Sequence, residues 1–194
     1  MARTRVETLV TRRPGARGEF WTSLSAYAGL LKSKVVALLL VVALVTAVVA
    51  ADGRPPAGKL LLLAISGALA ASGAAAINHY LDRDIDSIMR RTKRRPLPSG
   101  GITNPRAALA LGVTFLVLGV LLSVPLGLWT TLFLALGAVV YLPVYTLWLK
   151  RRHVLNIVVG GAAGSCAALA GWAAIGGGNL IEASLLAALV FLWT

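Results

Sequence analysis

Uninterrupted apolar runs, each about as long as a membrane's hydrocarbon core is thick, leave this chain one class of fold. A helix needs roughly 20 residues to cross that core. Apolar runs fall at residues 35–51, 60–77, 107–124, 129–149 and 154–175, with a sixth beginning near residue 181. In hydrocarbon every backbone N–H and C=O must find its partner within the protein, and a helix does this by itself. The expected fold is therefore all-α, a polytopic transmembrane helix bundle. Hydrophobic residues occupy 58% of the 194 positions, well above the share in an ordinary soluble domain. The sixth run reaches the final residue, Thr194, after only about 14 positions, short of a span. The chain is expected to be truncated, the N-terminal part of a longer bundle.

Nineteen Lys and Arg against seven Asp and Glu give a net charge of +12. The cations do not form the continuous basic face that nucleic acid requires; they stand in blocks between apolar runs. One block precedes the first run and includes Lys32 and Lys34. A second, from Arg83 to Arg106, separates the second run from the third, and Lys150, Arg151 and Arg152 follow the fourth. The positive-inside rule then puts the N-terminus and the 2–3 and 4–5 loops in the cytoplasm of a multi-pass cell-membrane protein. Residues 1–20 read as a mobile basic arm and residues 21–194 as the transmembrane domain. No compact apolar stretch precedes residue 20, so no cleaved signal peptide is expected.

The outer connections carry helix breakers: Pro55-Pro56, Pro125-Leu126-Gly127 and Gly176-Gly177-Gly178. Gly67, Gly73 and Ala74 in the second run, and Gly160, Gly161, Gly164 and Gly171 in the fifth, suit close helix packing in lipid. Trp21, Trp129, Trp148 and Trp172 stand near expected helix ends, where an interfacial belt would place them. Cys166 is the only cysteine, so no internal disulfide forms.

Chemistry concentrates where the second run ends. Asn78, Asp82 and Asp86 recur every fourth residue, so if the helix continues they stack on one face with a drift of about 40° per step. Carboxylates at a membrane helix end are costly unless paired or solvated in a cavity, and they mark function. Mg²⁺ takes hard oxygen ligands from one or two carboxylates and completes its shell with water and substrate phosphates. Asn78, Asp82 and Asp86 are accordingly the expected metal ligands and catalytic residues. Asp84 lies about 200° around the helix from Asp82 and is expected either to pair with Arg83, Arg90 or Arg91 at headgroup level or to support the site from behind.

A run of cations ending in Pro96-Leu97-Pro98 follows. Prolines there forbid regular helix, and the run reads as a rigid basic lid. Arg90, Arg91, Lys93, Arg94 and Arg95 over a carboxylate-held metal are complementary to diphosphate. Stabilising the charge that builds on a leaving diphosphate makes heterolysis of an allylic C–O bond accessible. The non-enzymatic alternative is a transporter or scaffold in which Asp82 and Asp86 bind a translocated cation.

The Asn-x-x-x-Asp-x-x-x-Asp pattern running into Arg91-Thr92-Lys93-Arg94-Arg95-Pro96-Leu97-Pro98-Ser99-Gly100 resembles the first signature of the UbiA superfamily of intramembrane prenyltransferases. Within it the chain is most similar to the protohaem IX farnesyltransferase family. The segments that carry this are Leu31-Lys32-Ser33-Lys34-Val35-Val36, Tyr145-Thr146-Leu147-Trp148-Leu149-Lys150-Arg151-Arg152, and Asn156 through Gly164 to Gly171-Trp172. The resemblance implies a nine-helix bundle around a central cavity and two Asp-rich motifs holding Mg²⁺ and diphosphate. It implies transfer of farnesyl from farnesyl diphosphate to a vinyl carbon of haem b, giving haem O, and association with haem A synthase or terminal oxidase assembly. A sister activity, prenylation of a quinone-precursor aromatic, remains open.

By position the resemblance makes Lys34 or Lys32, Arg94 and Lys150 diphosphate contacts, and Tyr141 or Tyr145 cavity residues that shield a carbocation. The chain departs from the family's pattern at Ala167-Ala168, where a proline pair is common, and at Lys32-Ser33-Lys34. The second Asp-rich motif is missing from the sequence, so this fragment is not expected to be competent alone. His79 and His153 read as bystanders rather than haem ligands.

Overall fold

A computed structural model of the protein describes residues 25–31, 34–152 and 156–193, and among these all regular structure is helical. The arm expected at residues 1–20, together with Trp21, Lys32 and His153, lies outside the described residues. The helices are α1 (Ser25–Leu31), α2 (Lys34–Ala50), α3 (Ala57–Leu81), α4 (Arg83–Ile88), α5 (Pro105–Leu122), α6 (Leu128–Val139), α7 (Asn156–Ile175) and α8 (Leu180–Trp193). A 3-10 turn, Val124–Leu126, links α5 to α6, and α6 continues as a π-helix over Val140–Leu149.

Four spans are long and apolar enough to cross a membrane: Ala57–Leu81, Pro105–Leu126, Leu128–Leu149 and Asn156–Ile175. The first expected span differs in detail. Helix α2 has 17 residues and joins α1 across a 46° bend, so the pair makes a fifth span only if taken together. The sixth apolar run is the 14-residue α8.

Helix α3 is the axis of the bundle. Its buried positions run from Leu63 through Ser66, Gly67, Ala70, Gly73 and Ala74 to Asn78, and its main partner is α5. Small residues make this possible, because hydrocarbon gives helices no hydrophobic drive to associate and close van der Waals approach must replace it. A Cβ on Gly73 would lie 2.4 Å from the Leu116 backbone nitrogen, and one on Gly119 would lie 2.4 Å from that of Ala70.

Three apolar clusters run the length of the bundle. At one end Leu30, Ala76, Leu97, Ile102 and Ala108 tie α1, the α4–α5 loop and the start of α5 to α3. Beside it Ala74, Ile77 and Leu142 pack with Tyr141 and Leu116. At the other end Ala43, Ala47, Leu63, Leu126 and Ala174 close α2, α3 and α7.

The expected breakers act as such. Gly127 (φ 118°) ends the 3-10 turn and Gly176 (φ 81°) follows α7, both in the left-handed region that favours glycine. Helix α5 starts on a side-chain cap, Asn104 Oδ1 accepting from the backbone N–H of Arg106 (3.1 Å) and Ala107 (3.4 Å), with Pro105 where a missing N–H costs nothing. Trp172 stands near the end of α7 and packs inward. It is 5% exposed and donates its indole N–H to the Gly177 carbonyl at 3.0 Å, whereas Trp129 and Trp148 are exposed.

Candidate active site

The backbone breaks at Asp82 (φ −89°, ψ 0°), which separates α3 from α4, so the second helix does not run on without interruption. The hydrogen-bond ladder nevertheless continues through the break. Asp82 N–H donates to Asn78 C=O at 2.9 Å and Asp86 N–H to Asp82 C=O at 2.8 Å. Asn78, Asp82 and Asp86 therefore stay on one wall, at 8%, 0% and 2% exposure, while the Asp84 side chain is 58% exposed.

Burial of two carboxylates is tolerable only if each is compensated, and each has a cation. Lys150 Nζ donates to Asp82 Oδ2 at 2.5 Å, and Arg95 Nη1 donates to Asp86 Oδ2 at 2.7 Å. Asn78 Nδ2 adds a bond to the same Asp82 oxygen at 3.0 Å and another to Thr146 Oγ1 at 3.0 Å. Asp82 Oδ1 is left buried without a hydrogen-bond partner. Buried polar atoms are almost always satisfied, so this oxygen points to something that the protein itself does not supply.

Of the six expected diphosphate cations, the structure brings two, Arg95 and Lys150, to the carboxylates. Arg90, Lys93 and Arg94 are exposed. Lys34 is exposed at the first residue of α2. The α4–α5 loop is a chain of turns, including Lys93 N–H to Met89 C=O at 3.0 Å, Arg95 N–H to Thr92 C=O at 2.9 Å and Ile102 N–H to Pro96 C=O at 3.1 Å. It is anchored by buried Leu97 and Ile102 and by Thr92 Oγ1 donating to Asp86 C=O at 3.2 Å.

Asp84 does not pair with Arg83, Arg90 or Arg91. Arg151 from the opposite loop donates to both of its carboxylate oxygens, at 2.9 and 3.0 Å, and also to Leu81 C=O at 3.0 Å. This fork holds the Asp84 carboxyl below the usual carboxylate range, with help from the Ile85 backbone N–H. Arg83 instead stacks its guanidinium 4.3 Å from the centre of the Tyr80 ring.

Tyr141 and Tyr145 stack at 5.9 Å with an interplanar angle of 12°. Both lie in the π-helix, whose interior holds Pro143. Proline has no N–H and crowds the carbonyl one α-turn back; a wider π turn fits around it and is a frequent companion of functional sites. The wide register persists to the end, Lys150 N–H bonding Tyr145 C=O, five residues back, at 2.8 Å.

Sequence reasoning missed Thr146 as a site residue. A hydroxyl four positions before Lys150 in an otherwise apolar run was the available signal. His79 lies beside this wall with a buried Nδ1 that has no hydrogen-bond partner.

The donor set suits a hard divalent cation. Asp82 Oδ1 is unpaired, both amide protons of Asn78 are committed so that its oxygen is the uncommitted end of the amide, and Asp86 completes the wall. Among the described residues no three or more His, Cys, Asp and Glu side chains converge into a complete metal site. Two carboxylates with an amide suffice for Mg²⁺ only if water and substrate phosphate supply the rest.

An all-helical membrane bundle whose buried aspartate–amide wall is balanced by two cations has the charge arrangement that can hold a metal ion and a phosphoryl group together. Residues 39–194 match the UbiA prenyltransferase family, to which the chain belongs; with its apolar spans it is a multi-pass membrane protein. It is 45% identical over 168 residues to the protoheme IX farnesyltransferase of Symbiobacterium thermophilum, covering 87% of this chain and 56% of that one. It is 43% identical over 179 residues to the protoheme IX farnesyltransferase of Picosynechococcus, covering 90% and 55%. The chain thus spans little more than half the length of these relatives.

Among solved structures it resembles one described as digeranylgeranylglyceryl phosphate synthase in membranes, with TM-score 0.77, 22% identity, and 88% of this chain and 59% of that one covered. It also resembles a UbiA homolog from Archaeoglobus fulgidus bound to DMAPP and Mg²⁺, with TM-score 0.70, 22% identity, and 86% and 60% covered. At that identity the likeness establishes the fold.

Proposed function

We propose that the protein to which this chain belongs transfers the farnesyl group of farnesyl diphosphate to one vinyl carbon of haem b while water adds to the other with loss of a proton, yielding haem O and free diphosphate. The reading rests on one observation above others, the buried Asp82 carboxylate with one oxygen held by Lys150 and Asn78 and the other unpaired. The relatives named protoheme IX farnesyltransferase supply the acceptor.

Asn78, Asp82 and Asp86 would hold Mg²⁺, which neutralises charge on the diphosphate as it leaves. Lys150 and Arg95, already bound to the carboxylates from one side, present the remaining N–H donors to the diphosphate oxygens. Lys34, Arg90, Lys93 and Arg94 act around that site, attracting the anion. The stacked Tyr141 and Tyr145 rings offer π-faces that shield an allylic cation from water. The protein works in the cell membrane with its N-terminus in the cytoplasm, alongside haem A synthase or the terminal oxidase assembly.

The test uses full-length protein in membranes with haem b, farnesyl diphosphate and Mg²⁺, and scores haem O by mass spectrometry. Haem O is expected from the wild type, with a drop of about 100-fold or more in Asp82→Asn, the scale of losing a group that stabilises transition-state charge. Prenylation of 4-hydroxybenzoate with no haem O would move the protein to the quinone-precursor branch. Cation flux that depends on Asp82, with no prenyl transfer to either acceptor, would make it a transporter.

A further inference from the structure

Thr146 sits in the π-helix with none of its surface exposed, and its hydroxyl bonding runs in one direction. The hydroxyl donates its only proton to Tyr141 C=O at 2.8 Å, so towards Asn78 it can only accept. Asn78 Nδ2 meets it at 3.0 Å and gives its second proton to Asp82 Oδ2 at 3.0 Å. A flipped Asn78 amide would set its oxygen against two acceptors, the Thr146 oxygen and a carboxylate already receiving Lys150. The network therefore fixes which end of the amide is nitrogen and which is oxygen.

The π register is what makes this direction available. Elsewhere in the bundle, Thr46 and Ser66 in α-helices bond carbonyls three or four residues back. Thr146 bonds one five residues back. That longer reach anchors the hydroxyl to the same wide turn that carries Tyr141, Tyr145 and Lys150.

We propose that Thr146 is a positioning residue, which locks the Asn78 amide so that its oxygen, with the unpaired oxygen of Asp82, faces a divalent cation. This rests on the reading of Asn78 and Asp82 as metal ligands, and goes beyond it by assigning the orientation of one ligand to a residue that never touches the metal. Partners of this kind typically contribute 10–100-fold to metal affinity or activity.

The experiment measures Mn²⁺ binding by electron paramagnetic resonance on full-length protein with farnesyl diphosphate present. It compares wild type, Thr146→Val, which keeps the shape and loses the hydroxyl, and Thr146→Ser, which keeps the hydroxyl. Thr146→Val is expected to weaken Mn²⁺ about tenfold or more and to lower the melting temperature, since the buried Asn78 N–H and Tyr141 C=O lose their partner, and Thr146→Ser to recover most of both losses. In an Asn78→Ala background Thr146→Val should cause no further loss, because the residue it orients is gone.

Wild-type Mn²⁺ affinity in Thr146→Val, alongside lost binding in Asp82→Asn, overturns the inference and leaves the metal site standing. Unchanged binding in Asp82→Asn overturns the metal site itself. If the valine protein does not fold, Thr146→Ala against Thr146→Ser makes the same comparison, and equal affinity in those two overturns the inference.

Discussion

Lys150 Nζ lies 2.5 Å from Asp82 Oδ2, joining residues 68 positions apart at the end of two different spans. Asp82 has no exposed surface, whereas Lys150 is 28% exposed. Removing the partner of a fully buried charge costs about 3–5 kcal/mol; with one end in contact with water, about 1–3 kcal/mol is expected for Lys150→Met. Melting in detergent should show the loss. It should shrink when Mg²⁺ is added, since a divalent cation at Asp82 replaces the missing charge. The kcat/KM for farnesyl diphosphate should fall about 100-fold, with partial recovery in Lys150→Arg.

Asp84 and Arg151 form a surface pair, and such pairs contribute between zero and about 1 kcal/mol. The carboxyl's folded-state pKa is depressed, chiefly by the Arg151 hydrogen bond. Its contribution is therefore complete above the unfolded-state pKa and is lost as pH falls through the folded value. Asp84→Asn should lower the melting temperature slightly at pH 7 and leave it unchanged in acid below the usual carboxylate range. Arg151→Ala should cost more than Asp84→Asn at pH 7, because it also uncaps the Leu81 carbonyl.

Substitutions on α3 should separate close packing from mere helix propensity. A Cβ on Gly73 would meet the Leu116 nitrogen at 2.4 Å and the Gly112 oxygen at 2.6 Å. These are backbone atoms that cannot step aside, so Gly73→Ala should destabilise by about 1–3 kcal/mol or more as an overpacked interface. Gly58, in the first turn of the same helix, has nothing within 4 Å. Gly58→Ala should be neutral or slightly stabilising, since Ala loses less backbone freedom in a helix. Thermal unfolding of the two variants side by side decides the matter.

The spans were legible in the sequence because a membrane fixes both the length and the polarity of what crosses it. That Asn78, Asp82 and Asp86 share one wall was legible because four-residue spacing survives the break at Asp82, where the backbone hydrogen bonds continue. The partner of Asp84 was not. Arg83, Arg90 and Arg91 are near Asp84 in sequence, yet Arg151 takes it, because tertiary packing of two loops overrides distance along the chain. A proline at position 143 does not by itself specify that a ten-residue π-helix accommodates it. Trp172 stands near a helix end yet packs inside the bundle, because position along a helix carries no information on which face is packed.

Gly160 sets the position of the tyrosine pair. A Cβ there would lie 3.0 and 3.1 Å from two carbons of the Tyr145 ring, and that ring stacks on Tyr141. Gly160→Ala must move the ring by a few tenths of an ångström, which the end of a side chain can absorb. Gly160→Val must move it further and disturb the stack. Helix α7 should still form in both, since either residue has better helix propensity than glycine. Gly160→Ala is therefore expected to keep near wild-type stability with a modest fall in kcat. Gly160→Val should lose about 1–3 kcal/mol by overpacking and fall further in kcat, while its KM for farnesyl diphosphate stays close to wild type because the diphosphate cations are untouched. Steady-state kinetics on the two variants checks this split, and a loss confined to KM would remove the tyrosine pair from the reacting end of the substrate.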